Sequence, residues 1–196
     1  SAASDVYKRQ LYDTSLASSG EIMVRVVDAA GNVGQVTHHR YVVDATDPSA
    51  EIEVQDLSLP QADTHTVVVV YRDAGAGIDL ASIGPQNITV SNQVDTGMAV
   101  VGTSYVSEYH PAGPDGLPAG PHTVTVTYTL QAPGGNWNPE DTGLYAVKVM
   151  NYGDFAVRDL AGNAVGSAQE NFEINIPEAP TSSTPWTPSV PVLSLI

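Results

Sequence analysis

Cysteine is absent from all 196 residues, so no disulfide staples this chain and no thiolate can serve as nucleophile or metal ligand. Positive charge is nearly as scarce. Seven Lys and Arg stand against 22 Asp and Glu, a formal net charge of −15. A field of that sign repels nucleic acid and anionic membranes and draws in divalent cations. No apolar run approaches the ~20 residues needed to span a bilayer, and no segment carries a helical period. No Gly-x-Ser-x-Gly elbow is present. The five histidines show no His-x-x-x-His spacing, and His38 and His39, being adjacent, point to opposite faces of a strand. Nucleic-acid binding, membrane insertion, a zinc centre and hydrolytic catalysis are therefore not expected. At 42% apolar residues the chain can nonetheless build a core, which argues against wholesale disorder.

The two ends stand apart from the rest. Residues 1–10, SAASDVYKRQ, resemble the translated tail of a transposase adaptor used in sequencing libraries. Leu193-Ser194-Leu195-Ile196 is what the reverse complement of that adaptor encodes. Both ends are expected to be artefacts, to be set aside like fusion scars, leaving an open-ended piece of a longer, metagenomic protein. Removing Lys8, Arg9 and Asp5 takes the formal charge from −15 to −16.

Between the ends the pattern is that of strands. Ile22, Val24 and Val26 alternate with Met23 and Arg25, then Asp28-Ala-Ala-Gly-Asn32 supplies a turn, and a second strand follows over 36–43. Further strands are expected over 51–57, 65–72, 87–94, 98–106, 122–131, 143–149 and 171–176, with a long Pro/Gly-rich loop over 107–121. The cleanest period-two segment places Val124, Val126, Tyr128 and Leu130 inward against Thr123, Thr125, Thr127 and Thr129. The run over 65–72 is almost continuously apolar, as a central strand would be. Short strands with turn signals between them predict an all-β fold, an immunoglobulin-like β-sandwich.

An internal repeat divides the chain. Asp28-x-Ala-Gly31-Asn32 matches Asp159-x-Ala-Gly162-Asn163, and ten residues beyond each glycine stands an aromatic, Tyr41 or Phe172. Residues 11–47 thus read as the last two strands of a truncated module of similar type, 48–177 as a complete sandwich, and 178–192 as a Pro/Ser/Thr-rich linker. Asp141-Thr-Gly143-Leu-Tyr145 opens the strand over 143–149. A tyrosine at that place in a sandwich returns its hydroxyl to the backbone just upstream and pins the corner between the sheets.

The phrase from Ala132 through Trp137, Asp141, Gly143 and Tyr145, followed by Asp159-x-Ala-Gly-Asn163, resembles a repeat of very large bacterial surface and secreted proteins. The Asp-Ala-Ala-Gly-Asn unit ending in Val-Asp-Ala-Thr-Asp-Pro resembles the tail of bacterial Ig-like repeats strung into adhesins. The resemblance covers most of 20–177. It implies a non-catalytic stalk or adhesive module at the bacterial cell surface. Its partners would be neighbouring repeats of the same chain and a cell-surface glycan or protein. The alternative is an ancillary module, carbohydrate-binding or spacer, of a secreted hydrolase. The chain departs from antibody-type domains in lacking their cysteine pair and strand-C tryptophan, so no antibody-like binding mode is implied.

Calcium is the sharpest candidate ligand, because Ca²⁺ takes six to eight hard oxygens and Asp-rich loops at a module junction can supply them. Asp44 and Asp47 flank the junction, with Asp28 and Asn32 in a loop of the preceding module; Asp73 and Asp79 form a second candidate pair. Asp159 and Asn163 carry less weight, since the module they would face lies downstream. The competing reading is that these side chains cap turns, as Asp and Asn beside Gly usually do. Trp137 could offer a sugar platform, but its position favours packing against Tyr145. Tyr105, Tyr109 and His110 beside loop 107–121 make the expected contact surface. Asn87-Ile-Thr89 is formally a glycosylation acceptor. Glu51 and Glu53 share one outward face of a strand.

Overall fold

The structure, a computed structural model, describes residues 20–41, 43–58, 63–92, 97–111 and 120–178. Both adaptor-like ends, Trp186 and almost all of the Pro-rich linker lie outside the described residues.

The first unit is a two-stranded antiparallel hairpin, β1 (Gly20–Val24) with β2 (Thr37–Tyr41). Its apolar side chains Ile22, Val24 and Val26 are exposed, because two strands alone cannot cover a face. The remaining strands build one sandwich. β3 (Ser49–Val54), β4 (Thr64–Arg72), β7 (Gly120–Gln131) and β6 (Val100–His110) form one sheet in the order β3-β4-β7-β6. β5 (Ile88–Asn92), β8 (Gly143–Val149) and β9 (Gln169–Ile174) form the other, in the order β5-β8-β9. All named pairings are antiparallel. In chain order this is A-B-E-D over C-F-G, the four-on-three arrangement of constant-type immunoglobulin domains.

The alternation read from sequence decides which side chains fill the space between the sheets. Val124, Val126, Tyr128 and Leu130 are fully buried, and opposite them in register stand Tyr71, Val69, Val67 and half-buried His65. From the second sheet Val90, Val147, Phe172 and Ile174 meet them. Beyond β3 the chain crosses over: Leu57 donates to the Glu173 carbonyl and accepts from the Asn175 N–H, both at 2.8 Å, adding a parallel rung beside β9.

The tyrosine corner forms as the spacing predicts. The Tyr145 hydroxyl donates to the Asp141 carbonyl at 2.9 Å. Asp141 is itself held in a capping box, its carboxylate accepting from the Asn138 N–H at 2.9 Å while Asn138 accepts from the Glu140 N–H at 2.8 Å. Trp137 is buried, and its ring neighbour is His65, edge-on at 6.3 Å, while Tyr145 stacks on Phe172 at 5.5 Å. The expected loop 107–121 is shorter than its composition suggests. β6 continues to His110 and β7 begins at Gly120, and a register shift between Glu108 and Tyr109 sets Tyr109 opposite Pro121, which has no N–H to give the ladder.

Candidate functional site

Three segments that are remote in sequence end at the same pole of the sandwich. The first is the connection from β2 to β3, carrying Asp44. The second follows β4 and carries Asp73. The third joins β8 to β9 and carries Asp159. One carboxylate oxygen from each lies within 4.8 Å of the others. Asp73 is 4% exposed and Asp159 2%, while Asp44 is half-buried.

Each loop is shaped by its glycines and by main-chain donors. Asp73 folds the loop behind it onto its own side chain: Oδ2 accepts from the Gly75 and Gly77 N–H groups at 3.0 and 2.6 Å. Gly77 has φ +87°, a left-handed value that favours glycine. Gly75 is required for a different reason, since a Cβ there would collide with the Asp44 carboxylate. That carboxylate accepts from Ala76 N–H at 2.6 Å and from Thr46 N–H at 2.9 Å. Asp159 is gripped by Asn163, whose main-chain N–H reaches Oδ1 at 2.8 Å and whose side-chain amide reaches Oδ2 at 2.7 Å. The same amide donates to the Asp44 carbonyl at 3.1 Å, tying the third loop to the connecting segment. The second and third loops are joined directly, through Asp79 N–H to the Arg158 carbonyl and Leu160 N–H to the Gly77 carbonyl, each 2.8 Å.

These bonds leave one oxygen out. Asp73 Oδ1 is buried and has no hydrogen-bond partner. Two ion pairs among the described residues, His38–Glu21 and Arg72–Glu51, lie on exposed side chains outside the cluster, and the His122 ring meets the Asp73 main-chain carbonyl, Nδ1 to oxygen 2.9 Å. The guanidinium of Arg158, next in sequence to Asp159, donates instead to the carbonyls of Gly162 and Gly153 at 2.8 and 3.0 Å. Buried charges ordinarily require a partner. Two unit charges at this separation repel by roughly 3 kcal/mol at an effective dielectric constant near 20. An all-oxygen set of carboxylates, shaped by a rigid loop frame, could hold a metal ion of the hard, oxygen-seeking kind.

The structure distributes the sequence candidates unevenly. Asp44 and Asp73, read as two separate possibilities, come together. Asp159 joins them, although on sequence alone it carried less weight, as facing a downstream module. Its signal was present in the repeat, but the third loop returns to the same pole as the segment that precedes the module, which no spacing reveals. Asp79 caps the turn Leu80–Ser82 through Ala81 N–H at 3.0 Å. Asp47 is exposed and outside the cluster. Asp28 and Asn32 repeat the two Asn-to-carboxylate bonds of the Asp159–Asn163 turn, Asn32 N–H to Oδ1 at 2.8 Å and its amide to Oδ2 at 2.7 Å. Those bonds, the Asn32 amide foremost, hold the fully exposed Asp28 carboxyl below its ordinary range.

Other candidates resolve into scaffold. Trp137 lies in the core rather than on a surface. Asn87 is buried, its amide donating to the Ser82 and Phe155 carbonyls at 3.0 and 2.8 Å, so the formal glycosylation acceptor faces inward. It borders a phenol pair, Tyr71 and Tyr128, whose hydroxyls lie 3.1 Å apart. Burial raises both phenols, Tyr128 to about 12. Glu51 pairs with Arg72 at 2.9 Å on the solvent face. No described helix is long and apolar enough to cross a membrane.

Fold and site together define an immunoglobulin-like β-sandwich module with a carboxylate cluster at its junction with the preceding unit. No protein-family model and no curated protein matches the chain.

Proposed function

We propose that the chain is a non-catalytic, extracellular Ig-like repeat of a bacterial surface protein, an adhesin or stalk, whose module junction is stiffened by Ca²⁺. The observation that carries this reading is the origin of the three carboxylates. Asp73 and Asp159 belong to the sandwich, whereas Asp44 belongs to the segment that leads into it from the preceding hairpin. A cation shared by all three holds that segment against the module and so restricts the angle between consecutive units. Calcium fits better than magnesium because its coordination tolerates irregular sets of carboxylate, carbonyl and water oxygens, whereas Mg²⁺ demands near-ideal octahedral geometry. The acidity of the chain raises the local concentration of divalent cations.

Calorimetric titration of chelator-treated protein with calcium chloride tests the proposal. Binding at one site per chain is expected, with a rise in melting temperature. A single site at a hundredfold excess of free ion over Kd adds about 2.7 kcal/mol to stability. No heat and no melting shift in millimolar calcium would end it.

A further inference from the structure

The sandwich has four sheet edges, and three of them are guarded. β3 carries Glu51 and Glu53 along its solvent-facing side. β5 is covered by the segment after it, Met98 N–H donating to the Val90 carbonyl at 2.8 Å beside a Ser91–Gly97 bridge. β9 is covered by Leu57 and by Asp56, whose carboxylate accepts the Glu173 N–H at 2.7 Å. Guards of these kinds, charges and covering segments, are how natural sheets keep their edges from pairing with other chains.

β6 carries a single charge, Glu108, and no described segment is hydrogen-bonded along its outer edge. It runs eleven residues at the end of its sheet, with no strand beyond it among the described residues. It contains no Lys, Arg or Pro, and Glu108 is its one carboxylate. Large apolar side chains project from it, with Val106 72% and Tyr109 70% exposed. Its pairing with β7 is regular from Gly102 to Glu108, bounded by a register shift at each end.

We propose that β6 is a self-association edge, at which two copies of this chain pair antiparallel through a twofold axis at Tyr105. The choice of a second copy follows from the strand's own symmetry. Tyr105 is the midpoint both of the whole strand and of its regular stretch. A dyad there gives full overlap and joins two four-stranded sheets into one of eight strands. It sets Tyr105 against its own counterpart, Thr103 against Ser107 and Ser104 against Val106, pairs of the aromatic, hydroxyl and β-branched kinds that sheets favour. It also sets Glu108 opposite Gly102, so the edge's only carboxylate meets no like charge. Such a contact is isologous and closes on itself, giving a dimer rather than a fibre. It uses none of the three clustered carboxylates and does not need a metal. Since each copy carries −15, association tightens as salt shortens the screening length from about 10 Å at 0.1 M to about 3 Å at 1 M.

Sedimentation of the full chain in chelator and high salt is the test, with Tyr105→Lys and Tyr105→Glu as variants; Tyr105 is outside the core cluster, and melting curves report whether each variant folds. Wild type should dimerise in a concentration-dependent way. Each variant alone should associate at least about tenfold more weakly, because like charges then meet on the dyad. An equimolar mixture of the two should recover a dimer, Lys facing Glu. A wild type that stays monomeric at every concentration overturns the proposal. So do variants that associate as well as wild type, or folded variants whose mixture fails to pair.

Discussion

Replacing Asp73 by Asn separates a metal-binding cluster from a set of turn caps, because the two readings predict opposite signs. In the absence of a cation, Asp73 lies within 4.8 Å of two other carboxylates, and each pair costs roughly 3 kcal/mol at an effective dielectric constant near 20. Asn removes both repulsions while keeping an oxygen for the Gly75 and Gly77 N–H groups. Its amide nitrogen can also replace the unpartnered Oδ1 and donate toward a neighbouring carboxylate. Against this, two hydrogen bonds to a charged acceptor become bonds to a neutral one, a loss of about 1 kcal/mol each. The half-buried Asp44 is partly screened by water, which trims its share. The net is a gain of about 2–4 kcal/mol in chelator, or roughly 10 °C in melting temperature for a module of this size. In calcium at about a thousandfold excess over Kd, where binding would add about 4.1 kcal/mol to wild type and not to the variant, the order reverses. Thermal melts of both proteins, with chelator and with calcium, read the crossing directly. If Asp73→Asn loses stability in chelator as well, the side chain is a cap for the second loop and the reasoning fails.

Tyr145→Phe should lower stability by about 1 kcal/mol, measured by denaturant unfolding, since it removes one hydrogen bond to a buried carbonyl; the calcium response should not move, because the corner lies toward the other end of β7, roughly 27 Å from the cluster. A chain trimmed to 48–177 should still melt cooperatively but lose that response, whereas one beginning at residue 43 should keep it, because Asp44 is the one carboxylate of the proposed site contributed from outside the sandwich. A trimmed chain without a cooperative melt would sink the domain boundary. Burial holds the His65 ring nitrogen below its ordinary value of 6.5, only partly opposed by its bond to the Gln55 carbonyl. The unfolded chain therefore takes up this proton before the native one, so the stability it contributes is present above pH 6.5 and lost as pH falls below it. His65→Gln should flatten that part of the melting-temperature profile, and an unchanged profile would assign the loss to other groups.

Much of this molecule could be read along the chain, because the features concerned are local. Side-chain alternation in β7 depends only on the two-residue repeat of an extended strand, so the inward set from Val124 to Leu130 needed no structure. The corner at Tyr145 and the turns at Asp28 and Asp159 each close within five residues, so these contacts depend on the local motif alone. What the chain could not announce is which loops meet. Asp44, Asp73 and Asp159 are separated by 29 and 86 positions, and they converge only because A-B-E-D packs over C-F-G and brings those three connections to one pole. The same holds for the edge at β6, whose exposure follows from its place at the end of the sheet rather than from its residues. Local periodicity determined what the strands are and which way they face; the order in which the sheets assembled them decided where charge is concentrated and which backbone is left open.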